Sequence, residues 1–209
     1  MPTSLLLASS NPAKVERLRR LFTGLPLQLR YPDDLPEAPD VHEEGSSHLA
    51  IACAKAVAWS RVAGGLAVAT DGGVDIPVLG PEWQSLTTRR ATGADAGDEE
   101  RAARLRRVLR DYPLEQREAW WVEAVAVARD GGLVAAQEAR GLRGLLTDDY
   151  LPAPPAFQGF WVYGMWMFPH LGKRYWELTD EELRRAEEPW FQLQPWLVDL
   201  VRQLVQQKE

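Results

Sequence analysis

The apolar positions alternate between short continuous runs and helical stripes. Ser4 to Ala8 reads as a short buried strand, because Leu5, Leu6, Leu7 and Ala8 leave no polar face. Ser10-Asn11-Pro12 then reads as a helix start, since Ser or Asn can cap and Pro suits the first turn. Val15, Leu18, Leu21 and Phe22 follow at helical spacing. Leu27 to Tyr31 alternates as a second strand, and the Pro-, Asp- and Glu-rich stretch 32–47 reads as a loop. Leu49, Ala52, Cys53, Ala56 and Val57 mark the face of a second helix, ended by Gly64-Gly65. Leu66 to Ala69 is an apolar strand, Thr70-Asp71-Gly72-Gly73 a turn, and Val74 to Leu79 a further strand. Strand and helix in this alternation predict an α/β architecture.

The second half continues with a helix on Ala102, Leu105, Val108 and Leu109. Two strands, Trp120 to Ala128 and Leu133 to Arg140, flank Asp130-Gly131-Gly132, the pattern of a tight hairpin. The stretch 151–155 is a loop, and Phe160 to Phe168 is expected to be an aromatic strand. Thr179-Asp180-Glu181-Glu182 is a capping box that opens a helix, which Pro189 ends. Trp196, Leu197, Leu200, Val201, Leu204 and Val205 form a terminal amphipathic helix. No internal repeat is visible.

Composition narrows the function. A chain of 209 residues suits one domain, 1–209, able to bury a core without disulfides. A formal charge of -6 argues against a nucleic-acid binder, which needs a basic face. Arg101, Arg104, Arg106, Arg107 and Arg110 do cluster, but Glu99, Glu100 and Asp111 flank them, as on a solvated helix face. Cys53 is the single cysteine; it fits a reducing, cytoplasmic compartment and reads as a packing residue rather than a catalytic thiol. The apolar run at Leu5 is too short for a secretion signal or a membrane span. Nine tryptophans suit core or interface packing, with an aromatic pocket for a planar base as the sharper alternative.

Three constellations could do chemistry. Ser9, Ser10, Asn11 and Lys14 lie between a strand and a helix, where unpaired amides, hydroxyls and an ammonium suit phosphate. The glycines of a Walker loop are missing, and the same residues make a plain helix cap. Glu43-Glu44-Gly45 precedes the helix carrying Lys55. Carboxylates there either favour the helix dipole or hold magnesium, which prefers one or two carboxylates with phosphate oxygens. Asp71 follows an apolar strand, at the edge where α/β sheets gather ligands, although Asp-Gly also serves ordinary turns.

Taken in order, Ser-x-Asn-x-x-Lys, a Glu with a Lys twelve residues later, and an Asp-Gly pair resemble the inosine triphosphate pyrophosphatase family. Arg89-Arg90-Ala91-Thr92-Gly93, Gly159-Phe160, Gly172-Lys173 and Glu177-Leu178-Thr179 extend that resemblance through most of the chain. It implies an elongated, two-lobed α/β fold with a central mixed sheet, flanking helices and a nucleotide cleft between the lobes. The implied activity is magnesium-dependent hydrolysis of a nucleoside triphosphate to monophosphate and pyrophosphate, in a homodimer. Ser9, Asn11, Lys14, Arg90, Phe160 and Lys173 would contact substrate. Glu43 and Asp71 would hold Mg²⁺, with Asp71 and Lys55 catalytic.

The departures point to changed base recognition. Thr70 stands in place of the first of two adjacent aspartates, and Gly72 in place of the following Ser. Tyr163 replaces an Asp, and Glu187-Glu188-Pro189 replaces a Ser-His-Arg segment. A catalytically degenerate nucleotide-binding or structural dimer is the second reading.

Overall fold

A computed structural model describes residues 3–41, 45–88, 93, 95–155 and 159–206. The strands are β1 (Thr3–Leu7), β2 (Leu27–Arg30), β3 (Leu66–Asp75), β4 (Glu118–Arg129), β5 (Gly132–Leu146), β6 (Trp166–Phe168) and β7 (Lys173–Arg174). Among the described residues the α-helices are α1 (Pro12–Leu21), α2 (His48–Ala63), α3 (Asp98–Leu109), α4 (Asp180–Arg185) and α5 (Pro189–Gln206). Among the described residues the strands form one mixed sheet in the order β2-β1-β3-β4-β5-β6-β7. The chain is therefore α/β, with helices flanking a mixed sheet.

The sheet changes character along its width. β1 runs parallel to both β2 and β3, as α1 and α2 allow by crossing between them. β6 pairs antiparallel with β5 and with β7. β4 and β5 form a hairpin closed by Asp130 and Gly131, both at positive φ (50° and 83°). That is the two-residue geometry that matches strand twist, and Asp-Gly is the pair that supplies it.

Two compact units divide the chain. The first comprises Met1–Asp71, Glu123–Ala139 and Trp190–Glu209. Alternation along its strands separates two cores. Leu5, Leu7, Leu66, Val68, Val125 and Val127 pack with Leu18 and Phe22, from α1 and its end, and with Trp190, Leu193, Leu197 and Val201 of α5. On the other face Leu6, Ala67, Ala69, Ala124 and Ala126 pack with Ala52 and Ala56 of α2. Alanine on both sides lets α2 approach the sheet closely. Cys53 packs at the edge of this second core, and burial pushes its thiol up, away from a reactive thiolate.

The second unit comprises Gly72–Val122 and Arg140–Pro189. Its interior is aromatic. Tyr163 stacks on Tyr175 (centroids 4.0 Å apart) and on Phe160 (5.6 Å), and meets Trp121 and Trp166 edge-on. Gly164 is needed here, because a Cβ at that position would lie 2.3 Å from the Leu151 carbonyl oxygen. None of the nine tryptophans is exposed. They pack, as their apolar area favours.

Several local expectations change. The predicted turn at 70–73 lies inside β3, which runs unbroken to Asp75. Glycine permits a turn without requiring one, and the Val74 amide and carbonyl are held by Thr88 and Trp83 instead. The expected strand 74–79 gives way to a 3-10 segment, Pro77–Glu82, since Pro77 and Pro81 carry no ladder donor. Residues 161–165 form a 3-10 turn rather than strand, and only Trp166–Phe168 joins the sheet. Every residue of that turn is buried, so no alternation marks it as coil. Pro189 opens the last helix rather than ending the previous one. Arg101 is buried, with Nε donating to the Gly93 carbonyl, whereas Arg104, Arg107 and Arg110 are exposed as expected.

Candidate active site

The first unit assembles charged side chains where β1 hands over to α1. Pairing of β1 with β3 ends at Leu7↔Val68, and the Ala8 amide adds one bond to the Val68 carbonyl (2.8 Å). β3 continues past that level, so Thr70 and Asp71 stand beyond the end of β1, on the side where the chain turns into α1. Ser9 and Asn11 shape that loop. The Asn11 amide donates to Ser9 Oγ (3.2 Å), and Asn11 Oδ1 accepts from the amides of Ala13 (2.9 Å) and Lys14 (3.3 Å). Asn11 is thus the N-cap and Pro12 the first helical residue, as the sequence predicts. The cap occupies amides that a bare helix end would offer to an anion. The groups this loop can offer an anion are therefore side chains, above all Lys14.

Asp71 is the centre of the cluster. Its Oδ2 lies 2.6 Å from His48 Nδ1, and its Oδ1 accepts from Lys55 Nζ at 3.0 Å. His48 and Lys55 are seven residues apart on α2 and so share a face. Burial works to raise the Asp71 carboxyl, but the His48 hydrogen bond and the charges of Lys14 and Lys55 outweigh it. The net result is a carboxyl held below its ordinary value and ionised at neutral pH. Such a group is a poor proton acceptor and a good permanent charge.

Lys14 makes a second ion pair, with Glu123 of β4 (3.4 Å). The Glu123 side chain is only 2% exposed, and Lys14 is 15% exposed. By strand alternation Glu123 shares the sheet face of Val125 and Val127. Thr70, two residues beyond Val68, shares it too. The Thr70 hydroxyl is buried and has no hydrogen-bond partner among the described residues.

These positions test the sequence-derived candidates. Ser9, Asn11, Lys14, Lys55 and Asp71 all lie in the first unit and converge as described. Glu43 and Arg90 lie outside the described residues. Phe160 and Lys173 belong to the second unit. Phe160 is 2% exposed within the aromatic cluster, and Lys173 Nζ donates to Glu182 at 2.7 Å. That bond, with the Thr179 amide, holds the Glu182 carboxyl down at about 2. Glu187 is exposed, in the left-handed region (φ 55°), while Glu188 is 1% exposed. His48 and Glu123 are site residues that sequence reasoning passed over. Glu123 carried a signal, as the lone charge in the apolar run Trp120 to Ala128. His48 carried only its seven-residue spacing from Lys55.

Among the described residues no three His, Cys, Asp or Glu side chains are gathered as a metal cage. A carboxylate such as Asp71 is the type of donor a hard divalent cation takes when phosphate oxygens and water complete its shell.

Comparison with known proteins decides the ancestry of this arrangement. The Ham1 family model matches residues 5–186. The chain belongs to the Ham1 family. Its similarity to a dITP/XTP pyrophosphatase of Geobacillus kaustophilus is 32% identity over 197 residues, covering 89% of this chain and 93% of the relative. To a dITP/XTP pyrophosphatase of Anaeromyxobacter sp. it is 36% over 159 residues, 63% and 69% of the two chains. In fold it matches a HAM1 protein from Coxiella burnetii with a TM-score of 0.74 and 22% identity, covering 94% of this chain and 99% of that one. The resemblance drawn from motif order therefore holds for this Ham1 protein. No helix among the described residues is long and apolar enough to cross a membrane.

Proposed function

We propose that this Ham1 protein is a magnesium-dependent nucleoside triphosphate pyrophosphohydrolase of the cytoplasm, acting as a homodimer with residues 1–209 as one functional domain. The observation that carries the reading is Asp71, gripped by His48 and Lys55 beside Lys14 and the Ser9–Asn11 loop. Lys14 and Lys55 bind phosphate oxygens, joined by the Ser9 hydroxyl and the side-chain NH2 of Asn11. Asp71, with Glu43, would hold the divalent cation, which would supply Lewis-acid stabilisation of the charge that develops on the phosphate oxygens. Asp71 also orients the attacking water as a hydrogen-bond acceptor, a role its lowered pKa suits better than taking the proton. Arg90 and Lys173 are further substrate contacts that the family resemblance implies. The names of the relatives support the reaction class.

Base preference is shifted away from inosine and xanthosine triphosphates. Glu187-Glu188-Pro189 offers carboxylates where the family resemblance expects donors, and carboxylates accept rather than donate. A site that loses its donors loses discrimination steeply. The experiment is pyrophosphate release from inosine triphosphate and ATP, with Mg²⁺ and with EDTA. Mg²⁺-dependent release from both, with kcat/KM values differing less than about a hundred-fold (roughly 2.7 kcal/mol), is expected. Activity surviving EDTA sinks the metal assignment. A larger preference for inosine triphosphate sinks the shifted specificity. Nucleotide binding without any release identifies the degenerate relative.

A further inference from the structure

Lys14 is a shared cation: it pairs with the buried Glu123 at 3.4 Å, and its charge also lowers the Asp71 carboxyl. A triphosphate brings several negative charges to Lys14 and must compete with Glu123 for it. Drawing Lys14 toward phosphate withdraws positive charge from a carboxylate that is 2% exposed. Buried carboxylates tolerate that poorly. The deficit is met if a cation arrives with the phosphate, because divalent ions bind one or two carboxylates together with phosphate oxygens. A second observation points to the same place. The buried Thr70 hydroxyl has no hydrogen-bond partner among the described residues. It lies on the sheet face of Glu123, on the strand next to β4. An oxygen so placed can accept from a water on the cation or donate to a phosphate oxygen.

We propose that Glu123 is a carboxylate of the cation–triphosphate site. It holds Lys14 while the site is empty and turns to the divalent cation when the triphosphate arrives. This rests on the placement of the phosphates at Lys14. Glu123 thereby has two opposite effects on affinity: it weakens binding of a bare triphosphate and strengthens binding of the metal complex.

The test is calorimetry on the full chain with the α,β-imido analogue of ATP, in EDTA and in Mg²⁺. In EDTA, Glu123→Gln should bind about ten-fold more tightly than the wild type, because the competitor for Lys14 is gone. In Mg²⁺ that advantage should vanish or reverse. Equal weakening in both buffers would show that Glu123 merely braces Lys14, and unchanged affinity in both would remove it from the site; either overturns the proposal. Should circular dichroism show that the Gln variant does not fold, Glu123→Asp replaces it. That variant keeps the charge on a shorter stem, so it should bind the metal-free analogue like the wild type and gain less from Mg²⁺. An equal gain overturns the proposal. Lys14→Ala separates the two levels: if it binds the analogue as the wild type does, the phosphate placement itself is wrong.

Discussion

The polar cluster around Asp71 and the aromatic cluster around Tyr163 solve opposite problems. Lys14, Lys55 and Asp71 keep 15–18% of their side chains exposed and are fixed by ion pairs, Lys55 with Asp71 and Lys14 with Glu123. Tyr163 and Phe160 keep 0% and 2%, and are fixed by ring stacking. A binding site must be rigid yet leave surface for a ligand, and paired charges achieve both. A core must leave none, and interlocked rings achieve that. The first cluster keeps surface open, as its proposed role in binding requires; the second encloses its rings. Side chains placed for chemistry and side chains placed for packing therefore give different responses when removed.

Asp71→Asn should produce the largest effect. It removes the charge that His48 and Lys55 grip, and each hydrogen bond to a charged group is worth about 1.5–3 kcal/mol. Two such bonds correspond to roughly a hundred- to ten-thousand-fold in rate. Pyrophosphate release under saturating Mg²⁺ checks this, with a melting curve to confirm the fold. A variant within about three-fold of the wild-type rate would mean that the polar cluster is structural and the comparison false.

Phe160→Ala comes next and acts on the other cluster. Truncating a buried aromatic ring costs about 3–5 kcal/mol of stability, read from the urea midpoint. The surviving folded protein should keep its KM for nucleotides if the ring only packs. The family resemblance implies Phe160 as a substrate contact, and the structure buries it against Tyr163 and Trp121. A small stability loss with a much higher KM would move Phe160 from the packing side of the comparison to the binding side.

How far these roles were legible depends on what each residue's neighbours dictate. Asn11 and Pro12 announced the start of α1 because a cap acts within four residues. Thr179 and Glu182 announced α4 in the same way. Asp130-Gly131 fixed its own turn. By contrast, Gly72-Gly73 are read through by β3, because adjacent strands and the Thr88 and Trp83 contacts come from far along the chain. The run at 160–168 misled for a related reason: burial from every side erases the alternation that separates a strand from a 3-10 turn. In the site, Lys14, Lys55 and Asp71 were visible through their placement after strands and on helices. The Glu123 pairing with Lys14 joins β4 to α1 across more than half the chain, a distance that no local pattern spans.

The smallest effect separates the clusters by pH. An aspartyl side chain in an unfolded chain titrates near 3.9. In the folded protein burial raises the Asp71 carboxyl, and His48, Lys14 and Lys55 lower it by more, so its folded value lies below the unfolded one. Above the unfolded value both states are ionised, and the full stabilisation is present. As pH falls past it, the unfolded chain takes up the proton first, and stability drains away until the folded carboxyl is protonated as well. The wild type should therefore lose stability on acidification that Asp71→Asn does not lose. Glu16 and Glu182, each held at about 2 by neighbouring cations, drain stability over the same range, but they are present in both proteins and cancel in the difference. Urea midpoints for the two proteins at pH 7, 5, 3.5 and 2.5 measure it. The gap between them should narrow below about pH 4, whereas the deficit of Phe160→Ala, which removes no titrating group, should stay flat over the whole series. A gap for Asp71→Asn as wide at pH 2.5 as at pH 7 would mean that the ionised carboxylate contributes nothing net to the fold, and that His48 and Lys55 hold Asp71 for the ligand alone.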